Sequence, residues 1–75
     1  MIKQQARQRA IVDAISATRQ EAGLSQRQLS EKLNQAVNFI QRIESGGRDI
    51  SVAEFIGIAI ALKVDPCDLL RKALR

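Results

Sequence analysis

The sequence lacks histidine, tryptophan and tyrosine, and its 75 residues include one cysteine, one proline and two phenylalanines. A single cysteine excludes an internal disulfide, and without histidine the common zinc-ligand sets are missing, so we expect no metal and no cofactor. The missing histidine also removes the usual general base of hydrolytic triads, so we do not expect an enzyme. Two aromatic residues make a poor stacking platform for single-stranded nucleic acid.

Basic residues outnumber acidic ones by 12 to 8, which gives a net charge of +4 and a pI near 10.0. This charge suits an anionic partner such as nucleic acid, and solubility alone explains it equally well. Residues 1–48 carry eight basic and four acidic side chains, whereas residues 49–75 carry four of each. No apolar run approaches the ~20 residues of a membrane span, and the polar first ten residues do not resemble a secretion signal. We expect one cytoplasmic domain over residues 1–75, with no membrane association.

Helix-capping residues divide the chain into five helices, which predicts an all-α fold. The expected helices cover about residues 6–22, 25–33, 36–45, 51–63 and 65–74. The signals for helix starts are Ser25 with Gln28, Ser51 with Glu54, and Asp65 with Pro66, and those for helix ends are Gly23, Asn34 and Gly46–Gly47. Alternating isoleucines at 56, 58 and 60 superficially resemble a strand, but the capping box before them favours a helix.

The second and third helices have the pattern of a helix-turn-helix. Their predicted buried residues are Leu29, Leu33, Ile40 and Ile43, and the small Ser30 allows the two helices to cross closely. On the outer side of the third helix, one face carries Val37, Asn38, Gln41 and Arg42. Asparagine and glutamine pair with adenine, arginine with guanine, and valine contacts the thymine methyl group. This face therefore predicts base reading in duplex DNA, and a merely solvated polar face is the alternative.

From Ile11 to about Leu70 the chain resembles the Cro/repressor-type (xenobiotic-response-element) helix-turn-helix family. The residues that carry the resemblance are Gly23-Leu24-Ser25-Gln26, Leu29-Ser30, Ile40, Ile43-Glu44 and Gly46. The resemblance implies a compact five-helix DNA-binding domain of the phage-repressor type, with its helix-turn-helix at about residues 25–45. It also implies a dimer whose third helix enters the major groove.

By the same resemblance, Gln26 braces a phosphate or a neighbouring side chain, and Ala36 and Phe39 touch the DNA backbone. Core packing is the alternative for Phe39. The resemblance further implies that Arg19 pairs with Glu44 as a structural clamp rather than as a reader of DNA.

Two loops near the third helix carry further expectations. Arg48 follows two glycines, so it is a candidate phosphate contact, with a solvated loop arginine as the alternative. The family usually has serine or threonine where this chain has Ala36, so the third helix lacks its ordinary N-cap. Either Asn34 or Gln35 replaces that cap in part, or the turn is looser than in the family.

The last two helices, at about residues 51–74, carry more apolar residues than one small core needs. A helical wheel predicts one broad core face on the fourth helix, made of Val52, Phe55, Ile56, Ala59, Ile60 and Leu62. Ile58 falls outside this face, so we expect a homodimer with Ile58, Leu70 and Leu74 at its interface. A monomer with a few exposed apolar residues is the alternative.

Together these features predict a sequence-specific transcriptional regulator. We expect it to be a dimeric repressor that reads a pseudo-palindromic operator in double-stranded DNA. The alternative function is that of an antitoxin-like or adaptor protein. In that case the surface of the fourth and fifth helices binds a protein partner.

Overall fold

Capping side chains satisfy free backbone N–H groups at the starts of three helices. In the computed structural model, which describes residues 3–75 and side chains from Gln5 onward, five helices follow one another: α1 Lys3–Glu21, α2 Gln26–Lys32, α3 Phe39–Glu44, α4 Val52–Ala61 and α5 Pro66–Leu74. No strand occurs in this range, so the predicted all-α fold is confirmed. The side chain of Lys3, counted above in the basic part of the chain, lies outside the described ones.

Both predicted capping boxes are present. The Ser25 hydroxyl accepts a hydrogen bond from the Gln28 N–H at 3.0 Å, and the Gln28 side chain accepts one from the Ser25 N–H at 2.8 Å. Ser51 and Glu54 form the same reciprocal pair at the start of α4. Such a cap contributes typically ~1 kcal/mol, so the starts of these helices are set locally by sequence.

The helix ends depend on residues in the left-handed backbone conformation. Gly23, at φ 74°, ends α1, and the next residue, Leu24, donates its N–H to the Arg19 carbonyl at 3.2 Å. The same bonding pattern ends α4, where Lys63 takes the left-handed position at φ 61° and Val64 donates to Ala59. Lysine adopts this conformation at a steric cost that glycine avoids.

The core lies where α1 meets the other helices. Packing of α1 against α5 and α3, and of α2 against α3 and α4, surrounds a cluster of buried residues. Its members are Val12, Ala14, Ile15, Leu29, Phe39, Ile40, Ile43, Ile58, Ala59, Leu62 and Leu69. Because Ile40 and Ile43 are both fully buried, α3 is fixed to the body of the domain by its inner side.

The buried face of α4 differs from the predicted one, and this corrects the expectation for Ile58. Ile58 is 0% exposed and belongs to the core, so it does not lie at a dimer interface in this fold. Instead, Val52, Ile56 and Ile60 form the outward stripe of the helix, at 77%, 42% and 65% exposure. Apart from Glu54 in its first turn, α4 is apolar on all sides, so a wheel shows too little contrast for the inner side to be chosen. Packing against neighbouring helices decides it.

None of the helices formed by residues 3–75 is long and apolar enough to cross a membrane.

Candidate nucleic-acid interface

The turn between α2 and α3 is built on Asn34. Asn34 adopts φ 58°, the left-handed conformation that its sequence position predicts. Its N–H bonds to the Glu31 carbonyl, and the N–H of Gln35 bonds to the Ser30 carbonyl, each at 3.0 Å. These two bonds satisfy the last carbonyls of α2 and turn the chain sharply toward α3.

The third helix begins later than predicted, at Phe39 instead of Ala36. Residues 36–38 form a turn that is closed by a 2.9 Å bond from the Phe39 N–H to the Ala36 carbonyl. Asn38 occupies the N-cap position but makes no capping hydrogen bond through its side chain. The side chains of Asn34 and Gln35, named above as substitutes for the missing cap, make no hydrogen bond among the described residues. A different residue, Ser30, satisfies the Ile40 N–H at 3.0 Å.

The four residues predicted to read bases all lie on the solvent side of this turn and helix. Val37, at 53% exposure, and Asn38 come from the turn, whereas Gln41 and Arg42 come from α3 itself. Within the described part of the chain, no hydrogen bond involves the side chains of Asn38, Gln41 or Arg42. Their donors and acceptors therefore point to solvent without an internal partner, as a base-reading surface requires.

Phe39 does not touch this surface, which corrects the expectation of a partly exposed ring at the DNA backbone. Its side chain is 6% exposed and belongs to the core. The ring lines a shallow groove together with Leu33, Ala53 and Gly57. The late start of α3 places Phe39 at its first position, on the inner side.

Arg48 lies in the loop after α3 and is held by Glu54. Its Nη1 and Nη2 atoms donate to the two Glu54 carboxylate oxygens at 2.9 and 2.8 Å, and Nη1 also donates to the Asp49 carbonyl. The guanidinium carbon lies 4.8 Å from the centre of the Phe39 ring, a cation–π distance. Arg48 is thus fixed between the start of α3 and the start of α4.

The charge on Arg48 also affects Glu54 itself. The pKa of Glu54 is lowered from 4.5 to about 2, first by the Arg48 side-chain hydrogen bond and then by the Ser51 backbone N–H. The same hydrogen bond raises the pKa of Arg48. Both groups are therefore charged at neutral pH, and the arginine keeps its positive charge beside the start of α3.

Behind the exposed face, Glu44 joins three elements. Its carboxylate accepts two hydrogen bonds from Arg19, at 2.8 and 3.1 Å, and one from the Gln26 amide at 2.7 Å. Arg19 also donates to the Leu24 carbonyl at 2.8 Å. With side chains only 11% and 8% exposed, Arg19 and Glu44 form a largely buried clamp between α1 and the end of α3. In this structure Gln26 braces a side chain.

The first two helices carry further basic residues. Arg7, Arg27 and Lys32 are exposed, and Arg27 forms an ion pair with Glu31 one turn along α2. Arg9 pairs with Asp13 and also donates to the Glu44 carbonyl at 3.1 Å, so α1 reaches the C-terminal end of α3. Residues 5–75 contain no cluster of potential metal ligands.

Leu70 and Leu74, the other residues predicted at a dimer interface, lie on α5 and are exposed. Leu70 lines a groove together with Val52 and Phe55, so one exposed apolar residue of α5 lies close to one of α4. Ile58 is buried in the core.

Two contributions were missed at the sequence level. The hydrogen bond from the Ile40 N–H to the Ser30 hydroxyl links residues ten positions apart, and its one signal in the sequence is a hydroxyl on an otherwise apolar helix side. The pairing of Glu54 with Arg48 was not predicted, because Glu54 was already assigned to the α4 capping box.

The comparisons with known proteins agree with this geometry. The family model described as helix-turn-helix, of the Cro/C1 type, matches residues 15–69. No curated protein matches the sequence. The crystal structure of the clp gene regulator ClgR from C. glutamicum is similar with a TM-score of 0.81 and 22% identity, covering 91% of this chain and 87% of that one. At this identity the likeness shows the fold. The family model matches most of the length of this chain, which shows that the chain belongs to the Cro/C1-type helix-turn-helix family of DNA-binding transcriptional regulators.

Proposed function

We propose that the protein is a sequence-specific repressor that binds double-stranded DNA as a homodimer, with α3 in the major groove. The observation that carries the proposal is the division of α3 into two sides. Ile40 and Ile43 fix the inner side in the core, while Gln41 and Arg42 present polar groups without internal partners on the outer side. A short helix held in this way presents its outer residues in a fixed orientation, which base reading requires.

Base contacts in this proposal come from the exposed face. Arg42 donates two hydrogen bonds to guanine, and Asn38 and Gln41 each pair with adenine through one donor and one acceptor. Val37 contacts a thymine methyl group. Each good bidentate pair discriminates against the wrong base by about 1–3 kcal/mol, so these few residues suffice for a specific half-site.

In this proposal, phosphates accept hydrogen bonds from side-chain N–H groups that make none within the part of the protein that the structure describes. Arg48 commits three of its five guanidinium N–H groups to Glu54 and Asp49, which leaves two for a phosphate. Gln26 commits one amide hydrogen to Glu44 and keeps the other. The exposed residue Ala36 adds a third point, and together these contacts position the domain without reading sequence.

The proposed dimer forms through the exposed apolar face of α4 and α5. This face comprises Val52, Ile56, Ile60, Leu70 and Leu74, all of which are exposed in the single chain. A two-fold arrangement covers the same face on both copies and places the two recognition helices about 34–36 Å apart. Because two chains must associate, occupancy of the operator then depends on protein concentration.

Selection of bound sequences from a random duplex pool tests the DNA-binding part. We expect enrichment of two half-sites related by two-fold symmetry. Arg42→Ala should flatten the preference among sequences, whereas Arg48→Ala should weaken binding to all duplexes by a similar factor and reduce the salt dependence. Arg71→Ala is the matched control, because this arginine lies on α5 and pairs with Asp68. If neither Arg42→Ala nor Arg48→Ala changes binding to any duplex, α3 does not form the DNA surface.

Sedimentation of Ile60→Lys against the parent tests the dimer. We expect the parent to have twice the chain mass and the variant to have the chain mass, because a lysine at a buried interface leaves a charge unpaired. Val37→Lys makes the same kind of change on the DNA side and should remain a dimer. A parent chain that is monomeric at all concentrations refutes the dimer, and a stoichiometric heterologous protein co-purifying with it would favour the adaptor function instead.

A further inference from the structure

The start of α3 is poorly held by its own sequence. Ala36 offers no hydroxyl, and Asn38 at the N-cap position, with φ −101° and ψ 13°, makes no side-chain capping bond. The helix itself is only six residues long. Helices of this length have little stability of their own, so an interaction from outside the helix must fix its first turn.

Ser30 on α2 supplies that interaction. Its side chain is 0% exposed, and the hydroxyl oxygen accepts a hydrogen bond from the Ile40 N–H at 3.0 Å. The hydroxyl proton is donated to the Gln26 carbonyl at 2.9 Å, which fixes the orientation of the hydroxyl group. A lone pair of the oxygen is therefore aimed at α3 before any DNA is present.

The same residue also holds the other end of the turn. The Ser30 carbonyl accepts the Gln35 N–H at 3.0 Å, while its hydroxyl accepts the Ile40 N–H. Residues 36–39 lie between these two anchor points, and Val37 and Asn38 project from this stretch into solvent. The carbonyl and the hydroxyl of Ser30 thus hold the two ends of residues 36–39. Two of the four residues proposed to read bases lie in this stretch.

We propose that Ser30 is a positioning residue for DNA reading, which sets the placement of residues 36–42 through its hydroxyl bond to the Ile40 N–H. This inference rests on the proposed function, because it concerns the same surface. Ser30 does not contact DNA. It takes over the anchoring of α3 that a local N-cap would otherwise provide.

Ser30→Ala separates the two anchors. The alanine keeps the carbonyl bond to Gln35 and removes only the hydroxyl, so the Ile40 N–H loses its acceptor in a buried site. Alanine is also the stronger helix former, so α2 itself is not weakened. We expect residues 36–42 to become less well fixed while the rest of the domain is retained.

The first measurement needs no DNA. Amide hydrogen exchange of Ile40 should become at least about tenfold faster in Ser30→Ala, relative to the Leu29 amide, which bonds to the Ser25 carbonyl within α2. Ser30→Cys, which replaces the hydroxyl with a weaker acceptor, should give an intermediate rate. Ser45→Ala removes a hydroxyl that only donates to the Arg42 carbonyl, at the opposite end of α3, and should leave Ile40 exchange unchanged. Equal acceleration of Ile40 and Leu29 overturns the anchoring.

The second measurement compares the selected duplex with the same duplex carrying changed half-site bases. Ser30→Ala should reduce the affinity ratio between them by about tenfold, the order of one good base contact. The salt dependence of DNA binding should be the same for Ser30→Ala as for the parent, because no phosphate-contacting charge is removed. Faster Ile40 exchange with an unchanged affinity ratio overturns the positioning role. A parent chain that selects no duplex overturns the proposed function, and the exchange measurement still decides whether Ser30 anchors α3.

Discussion

The buried carboxylate of Glu44 offers the sharpest test of how α3 is held. In the folded chain it accepts three hydrogen bonds, two from Arg19 and one from Gln26. Glu44→Ala leaves the Arg19 guanidinium largely buried, with two donors unpaired, and removes the acceptor of the Gln26 amide. Breaking a buried ion pair by removing one partner costs about 3–5 kcal/mol. Because Arg19 retains its bond to the Leu24 carbonyl, we expect a loss near the lower limit, about 3 kcal/mol.

That loss is large for a chain of this size. At roughly 0.05–0.15 kcal/mol per residue, 75 residues give an unfolding free energy of about 4–11 kcal/mol. A loss of about 3 kcal/mol should lower the melting temperature by roughly 12–24 °C. Urea unfolding followed by far-UV circular dichroism measures it directly, and this signal suits an all-helical chain without tryptophan or tyrosine.

Glu31→Ala is the matched control for this measurement. Glu31 pairs with Arg27 on the surface of α2, where the two side chains are 56% and 72% exposed. Exposed pairs of this kind contribute about 0.3–0.5 kcal/mol, so this variant should stay within about 0.5 kcal/mol of the parent. If Glu44→Ala loses less than about 1 kcal/mol, or no more than Glu31→Ala, the pair does not clamp α3 and the reasoning fails.

Two further predictions concern the ends of α4. Lys63→Gly should stabilise the fold by about 0.5–1 kcal/mol, because the left-handed conformation costs lysine more than glycine even after the greater freedom of unfolded glycine is counted. Urea unfolding measures the gain, and an equal gain in Lys63→Ala would contradict it. The lowered pKa of Glu54, about 2, predicts a contribution to stability that is complete above its ordinary pKa of 4.5 and is lost as the pH falls toward 2. Glu54→Gln should flatten the fall in unfolding free energy over this pH range, and a slope identical to the parent's would refute the assignment.

Features that depend on neighbouring residues in the sequence could be predicted. The capping boxes at Ser25 and Ser51 and the left-handed turn at Asn34 all appear as expected. Each depends on backbone groups within a few positions of the side chain, so the sequence contains all the participants. This local chemistry was enough to place the helix-turn-helix and its exposed face.

Two features that depend on tertiary packing were predicted wrongly. Ile58 and Ile60 are chemically identical and both lie on α4, but one is fully buried and the other largely exposed. An isoleucine gains from burial wherever the neighbouring helices provide it, and the sequence does not show where α1 and α5 lie. Phe39 points inward for a similar reason, since the groove beside it is formed by the residues just after α2 and by α4.

The start of α3 could be predicted only in part. Ala36 correctly indicated that the ordinary N-cap is missing, but the replacement came from Ser30 across the turn instead of from Asn34 or Gln35. A hydrogen bond over ten residues requires the crossing of α2 and α3 to be known first. The sequence therefore indicates that the local N-cap is missing, and the structure shows which residue replaces it.

The separation of the two sides of α3 bears on how this small scaffold could be given new sequence preferences. The residues that hold the helix in place, Ile40 and Ile43, are fully buried, whereas positions 37, 38, 41 and 42 take no part in the core. Surface substitutions away from special features usually change stability by no more than ~0.5 kcal/mol. A library randomised at these four positions should therefore consist largely of folded proteins, in which differences in DNA preference can be selected without competing differences in stability.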